Sequence, residues 1–171
     1  MAPAWENRRG PEALLPLASA LDTLEATPRR ALDIGTGTGK AARLLARRFP
    51  AVEVVGVDLA PAMVGEANRL LASELRDRVT FRVSDADELP FEDGAFDLVV
   101  LLNMIPFFDE LARVTAPEGT VVIASSSGAE TPIYVPPETL RARLAPLGFD
   151  GFDEVHAGEG TAFVARRLDR V

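Results

Sequence analysis

The sequence predicts an α/β fold: a doubly wound, mostly parallel sheet in a single domain with helices on both faces. Three observations predict it. Short β-branched runs alternate with amphipathic stretches along the chain. Residues able to do chemistry come directly after the predicted strands, as Gly35 to Gly39, Asp58, Asp85 and Asn103 do. Open sheets of this kind bind ligands outside the carboxyl ends of their strands, where the strand order reverses. Finally, 171 residues fit one domain with one substantial core.

The elements follow in order. Residues 11–26 carry apolar positions at helical spacing, with Pro11 suited to a first turn. "RALDI", 30–34, is a short strand, and "KAARLLARRF", 40–49, is a helix stopped before Pro50. The β-branched run 52–59 is a buried strand. Pro61 opens a helix over 61–75, and 79–85 alternates as a strand. A buried strand over 96–102 precedes a short helix, 107–114, and a strand over 118–126. Residues 136–148 have Pro near the start and Gly at the end, as a helix should. Strands over 149–155 and 160–168 finish the chain. Residues 1–28 form an N-terminal helical segment and 29–170 the core of one domain, 1–171.

Composition removes several function classes. There is no cysteine and one histidine, His156, so disulfides, thiolate catalysis and Cys- or His-rich metal sites are excluded. The net charge of −8 opposes non-specific binding to nucleic acid or anionic membranes. The N-terminus lacks an apolar signal core, and the longest apolar run, 98–108, is broken by Asn103 and Pro106. The default expectation is a cytoplasmic protein.

The stretch "ALDIGTGTGK", 31–40, holds the strongest local signal. Glycine is costly to order, so three in five positions imply close approach to the backbone. A nucleoside triphosphate loop would need Gly at 34 and Ser or Thr at 41, where Ile34 and Ala41 stand. A dinucleotide loop would need Gly at 40, where Lys40 stands. A short-chain nicotinamide enzyme would also need Lys four residues after its Tyr, but Tyr134 is followed there by Glu138.

The spacing that matches is Asp-x-Gly-x-Gly-x-Gly, at Asp33, Gly35, Gly37 and Gly39. "LDIGTGTGK" resembles the first motif of class I S-adenosylmethionine-dependent methyltransferases. "VVGVDLAPAMV" is similar to the second strand of that family with its terminal acid, and "VSDADELPFEDGAFDLVV" to its third motif and following strand. "ELARVTAPEGTVVIA" and "PPETLRARLAPLGFDGFDEV" resemble its later helix–turn–strand units. Four motifs stand in register over about residues 28 to 168.

The resemblance implies a seven-stranded sheet of order 3-2-1-4-5-7-6 with the last strand antiparallel. It implies S-adenosylmethionine as cofactor, S-adenosylhomocysteine as product and methyl transfer as the activity. Asp33, Gly35, Thr36, Gly37 and Gly39 would then underlie the methionine and ribose. Asp58 would accept from both ribose hydroxyls, Leu59 and Met63 would border the adenine, and Asp85 with Ala86 would bind its edge. Asn103 would stand near the methionine end. Trp5, Pro106, Phe107 and Phe108 are candidates for the acceptor pocket.

Structural roles stay open beside these. Asp33 can cap its own loop, Asp58 can cap a helix, and Asp85 can be one solvated acid in an acidic run. Asn103 can turn a loop, Phe107 and Phe108 can be core, Trp5 can lie on an exposed tail, and His156 fits a surface.

Two departures bear on the acceptor. "NMIPFF" has one residue too many between Asn103 and Pro106 for the Asn-Pro-Pro-aromatic motif of amino-group methyltransferases, which disfavours nucleic acid. Many small-molecule members carry a His pair after the fourth strand, which this sequence lacks, so no catalytic residue is assigned. Glu118 stands where the family usually has Gly, with Gly119 left to make the turn. The chain has little sequence for a cap. The site would be wide, covered by the N-terminal helix, or covered by a second subunit of a homodimer. The expected function is methyl transfer to a small molecule; the alternative is a non-catalytic S-adenosylmethionine-binding scaffold.

Overall fold

The computed structural model describes residues 10–168. A 3-10 turn, Pro11–Leu14, runs into helix α1, Leu15–Leu21. Strand β1, Arg30–Ile34, leads through the glycine turn into α2, Lys40–Arg48. Then come β2, Glu53–Asp58; α3, Pro61–Leu70; and β3, Val79–Val83. The second half contains β4, Phe96–Leu102; α4, Phe108–Val114; β5, Thr115–Ser125; and α5, Pro137–Leu144. Strands β6, Phe149–Ala157, and β7, Gly160–Arg167, end it. No helix among the described residues is long and apolar enough to cross a membrane.

The seven strands form one sheet in the order β3-β2-β1-β4-β5-β7-β6. Strands β1 to β5 pair in parallel, and β7 runs antiparallel to both β5 and β6. This is the order and polarity that the resemblance implied. From β1 the chain first winds outward through β2 to β3, then returns to the other side of β1 as β4. The switch point therefore lies between β1 and β4, and the crevice at their carboxyl ends is the place for a ligand.

Strand periodicity divides the core into two layers. Ala31, Val54, Leu98, Val100 and Val122 face α1 and α2, which contribute Leu17, Leu21, Ala42 and Leu45. Leu32, Val57, Val99, Leu101 and Val121 face the opposite way, toward Leu111 and Val114 of α4 and Leu140 and Leu144 of α5. Burial of one such Leu or Val side chain contributes about 1.5–3 kcal/mol.

Several predicted helices are shorter in the structure. The helix expected over 11–26 ends at Leu21, where the Thr23 hydroxyl and amide both donate to the Ala20 carbonyl, at 2.7 and 3.0 Å. The helix expected over 61–75 breaks after Leu70 and resumes as a 3-10 turn, Ser73–Leu75. Arg76 satisfies carbonyls freed by that break, donating to Asn68 and Leu71. These breaks depend on side chains that periodicity does not see.

Strand β5 begins three residues earlier than expected and pairs irregularly with β4 between Phe96 and Leu98. Glu118 adopts the left-handed region there, with φ +63°. Gly119 beside it has no room for a side chain, since a Cβ would come 2.8 Å from the Ala116 carbonyl oxygen. The turn thus forms as expected, with Glu118 in a backbone conformation that costs an L-residue about 1–2 kcal/mol. Glu118→Gly should raise stability in urea unfolding by about 0.5–1 kcal/mol, the relief of strain less the added entropy of the unfolded chain.

Candidate active site

The carboxyl ends of β1 and β4 open into a cavity of about 470 Å³. Its floor is the β1–α2 turn, with Asp33, Gly35, Thr36, Gly37 and Thr38 on the wall. Met63 of α3, and Leu102 and Asn103 at the end of β4, form the sides. Ala13 of the first turn and residues 131–133 of the β5–α5 loop close the remaining edge.

Asp33 is the next-to-last residue of β1 and is 1% exposed. One of its oxygens accepts from the Thr36 hydroxyl at 2.7 Å and from the Ala42 amide at 3.2 Å. Gly56, opposite Asp33 on β2, makes room for this arrangement. A Cβ at Gly56 would lie 2.6 Å from the Thr36 hydroxyl and 2.7 Å from the Phe81 ring. Burial is the dominant influence on Asp33 and pushes its carboxyl from 3.8 up to about 6, against the lowering effect of the two hydrogen bonds.

The three turn glycines serve different neighbours. Gly35 and Gly39 have positive φ, and a Cβ at either would meet protein, Met104 sulfur at 2.7 Å and the Phe81 ring at 2.7 Å respectively. Gly37, φ +56°, has nothing within 4 Å of such a Cβ. It is the glycine whose missing side chain leaves the cavity open.

Asp58 ends β2 and joins two loops. Its oxygens accept from the Gly37 amide and the Ala60 amide, both at 2.9 Å. A carboxylate offers about four acceptor positions, so two remain for other donors. Leu59 beside it is 67% exposed, a large apolar side chain just past the carboxyl end of β2. Asp85 is exposed and accepts from the Asp87 amide at 3.0 Å, while Ala86 is buried. Asn103 takes φ +54°, and its side chain clasps Ser126: Asn103 Nδ2 donates to the Ser126 hydroxyl and the Ser126 amide donates to Asn103 Oδ1, both at 2.9 Å.

Residues 31–119 match a family of methyltransferase domains, just over half of the chain. The chain belongs to that family. Among curated relatives, the domain is 38% identical to a probable tocopherol O-methyltransferase of Oryza sativa over 67% of this chain and 33% of that one. It is 45% identical to a demethylmenaquinone methyltransferase of Thermus thermophilus over 58% and 48%. It is 40% identical to a malonyl-[acyl-carrier protein] O-methyltransferase of Halorhodospira halophila over 67% and 40%. The matches thus span a third to a half of these relatives' lengths. In fold, the domain matches a SAM-dependent methyltransferase from Aquifex aeolicus with TM-score 0.75 at 18% identity, covering 98% of this chain and 97% of that one. It matches human N-acetylserotonin methyltransferase in complex with SAM with TM-score 0.69 at 18% identity, covering 88% and 51%.

The methyltransferase domain brings Asp33, Gly35, Thr36, Gly37, Met63 and Asn103 onto one cavity wall. Asp58, Leu59, Asp85 and Ala86 follow outside it along the ends of β2 and β3, and Gly39 packs inward against Phe81. Asp33 bonds its own loop, Asp85 is exposed in its acidic run and Asn103 turns a loop, as their structural readings expected. Asp58 instead bonds the Gly37 and Ala60 amides and does not cap α3, whose first turn has no side-chain cap. Phe107 and Phe108 do not line the cavity. Phe108 packs in the core under Arg143, whose guanidinium carbon lies 4.5 Å from the ring centre. Phe107 is exposed and Pro106 is buried outside the cavity. Trp5 lies outside the described residues. His156 is exposed on β6.

Sequence reasoning missed Ala13, Thr38, Lys40, Ala41, Leu102, Thr131, Pro132 and Ile133 on the cavity wall. Ala13, in the 3-10 turn before α1, lines the cavity. Nothing local marks Thr131. It is 4% exposed, and its hydroxyl is the buried side-chain polar atom left without a hydrogen-bond partner among the described residues. Such burial typically costs about 1–3 kcal/mol.

The raised Asp33 carboxyl sets a pH dependence of stability. The folded chain holds this proton to higher pH than the unfolded chain, so the contribution is most favourable below about pH 4 and is lost as pH rises to about 6. The loss amounts to about 3 kcal/mol at 1.36 kcal/mol per unit. Asp33→Asn keeps an oxygen for Thr36 and Ala42 and cannot ionise. Urea unfolding should show the variant gaining on the wild type between about pH 4 and 7, by a difference of that order.

Proposed function

We propose that the domain binds S-adenosylmethionine and transfers its methyl group to a small-molecule acceptor. The observation that carries this is the cavity's buried carboxylate, Asp33, at the switch point beneath an open Gly37. A carboxyl whose ionisation is opposed by burial favours a cationic ligand, and S-adenosylmethionine carries an ammonium and a sulfonium. The family assignment and the names of the relatives, which include tocopherol and demethylmenaquinone methyltransferases, support the reaction and the small acceptor.

In this reading the two remaining acceptor positions of Asp58 take the ribose hydroxyls. Leu59 and Met63 flank the adenine, and Asp85 with the Ala86 backbone binds its edge. When bound, S-adenosylmethionine supplies a methyl carbon already activated by its positive sulfur. The chain's own part is alignment and exclusion of water. The Asp58 clamp on Gly37 and Ala60 fixes the floor, the Asn103–Ser126 clasp fixes the far side, and Ala13 with residues 131–133 narrows the opening. Asp33 offsets the ligand's charge, and its oxygen bonded by Thr36 and Ala42 is held away from proton-transfer duty. Acceptor deprotonation is then left to the acceptor's own acidity.

Calorimetry should show binding of S-adenosylmethionine and S-adenosylhomocysteine and no heat with NAD. Asp58→Ala should weaken both by about 1.5–3 kcal/mol, the scale of hydrogen bonds to a charged group. A folded protein that binds neither sulfur compound would refute the proposal. Release of S-adenosylhomocysteine in an acceptor screen separates an enzyme from a binding scaffold.

The Asp33 carboxyl also couples binding to pH. A cation beside it draws out its proton, so affinity for S-adenosylmethionine should fall about tenfold between pH 7 and pH 5. Asp33→Asn should flatten that profile in the same titration.

A further inference from the structure

We propose, resting on the S-adenosylmethionine reading of the site, that Arg113 of α4 is a positioning residue for the adenine. It touches no ligand and acts through the β3–β4 loop that it clamps.

Residues 84–95 join β3 to β4 without a helix or strand of their own. Connections of this length in a compact domain are usually either functional or poorly ordered. This one starts with Asp85 and Ala86, which take the adenine edge in that reading. Its first residue is tied to the neighbouring strand, since the Ser84 amide donates to the Asp58 carbonyl at 3.0 Å. The Glu88 amide then donates to the Asp85 carbonyl at 3.3 Å, closing a turn that delivers the chain to Leu89.

From Leu89 onward the loop is held by α4. Arg113 Nη1 donates to the Phe91 carbonyl at 2.6 Å and to Asp93 Oδ1 at 3.0 Å, and Nη2 donates to the Leu89 carbonyl at 3.0 Å. Glu110, one turn earlier, accepts from Arg113 Nε and Nη2 at 2.6 and 2.9 Å and from the Leu89 amide at 2.7 Å. The Gly94 amide donates to the Arg113 carbonyl at 2.8 Å. All five guanidinium donors are thus engaged, three of them on the loop, and both backbone groups of Leu89 are taken. Asp93 is exposed, so its ion pair contributes little. The carbonyl bonds and Glu110 carry the hold, because a planar fork fixes several acceptors at once where a lysine would be a single point charge.

The clamp serves the loop more than the helix. Leu111 and Val114 already bury α4 in the core, and the Thr115 hydroxyl donates to the Leu111 carbonyl at 2.7 Å. Arg167 donates to the Ala112 and Thr115 carbonyls at the end of the helix. The helix therefore stays in place without Arg113, whereas the loop loses the bonds at Leu89 and Phe91. Ala86 and Leu89 lie in the same core layer with Asp87 and Glu88 between them, so a shift at Leu89 is passed back to Asp85.

Calorimetry with S-adenosylhomocysteine and S-inosylhomocysteine tests this. The two differ at the base edge, where the amino group of one is a carbonyl in the other. Asp85 accepts from the amino group and repels the carbonyl, so the ratio of the two affinities reads where Asp85 stands. The wild type should prefer S-adenosylhomocysteine about tenfold or more. Arg113→Lys, which keeps the charge and loses the fork, should cut that ratio to about threefold or less. In an Asp85→Ala background, Arg113→Lys should leave the ratio unmoved, since the two act as one unit. A merely structural loss would lower the melting temperature and weaken both compounds alike. An unchanged ratio in folded Arg113→Lys therefore overturns the inference, as does a wild-type ratio near one. Should Arg113→Lys not fold, Glu110→Gln takes its place, with the same narrowing expected and an unchanged ratio overturning the inference. A wild type that binds neither compound removes the S-adenosylmethionine reading itself, an outcome distinct from binding with an unmoved ratio.

Discussion

The buried carboxylate of Asp33 holds the turn on which the cavity is built. It stands one residue before the end of β1 and accepts from Thr36 at the start of the turn and from Ala42 in the first turn of α2. One buried side chain therefore ties strand, turn and helix together. The neighbours make room for it: Gly56 is bare so that the Thr36 hydroxyl can lie over β2, and Phe81 fills the space beyond. Burial raises its proton affinity against the pull of its two hydrogen bonds. The turn is thus held by a group whose ionisation the fold opposes.

A second carboxylate spreads this order outward. Asp58 joins the β1–α2 turn to the β2–α3 turn through the amides of Gly37 and Ala60. The crevice edge is then one hydrogen-bonded unit across β1 and β2. On the other side, Asn103 and Ser126 join β4 to β5. The switch point lies between the two units. Each can be rigid while the gap between them stays open, which is the requirement for holding two reactants in line.

Much of the fold was legible because its causes are local. Alternation of β-branched runs with helical spacing gave strand and helix identity, and parallel crossovers constrain what such an order can become. Helix ends were read less well. Leu21 and Leu70 end their helices because Thr23 and Arg76 bond nearby carbonyls, an effect periodicity does not contain. The site followed the same division. Asp33, Gly37 and Asp58 carry a spacing that shows in the sequence. Phe107 and Phe108 looked equally chemical, but one ring faces solvent and the other supports the core.

By itself the sequence determined the alternating order of elements, the glycine turn, the acids that follow the strands and the absence of cysteine chemistry. These depend on residue type and short spacing, which the chain carries wherever it folds. Only the tertiary structure decided which glycine faces open space, and that Gly56 exists for a hydrogen bond made by Thr36. It also brought Ala13 and Thr131, far apart in the chain, onto one cavity wall with Gly37. Such pairings come from strand order and register, and no spacing along the chain encodes how a loop after β5 comes to lie on one cavity wall with a turn after β1.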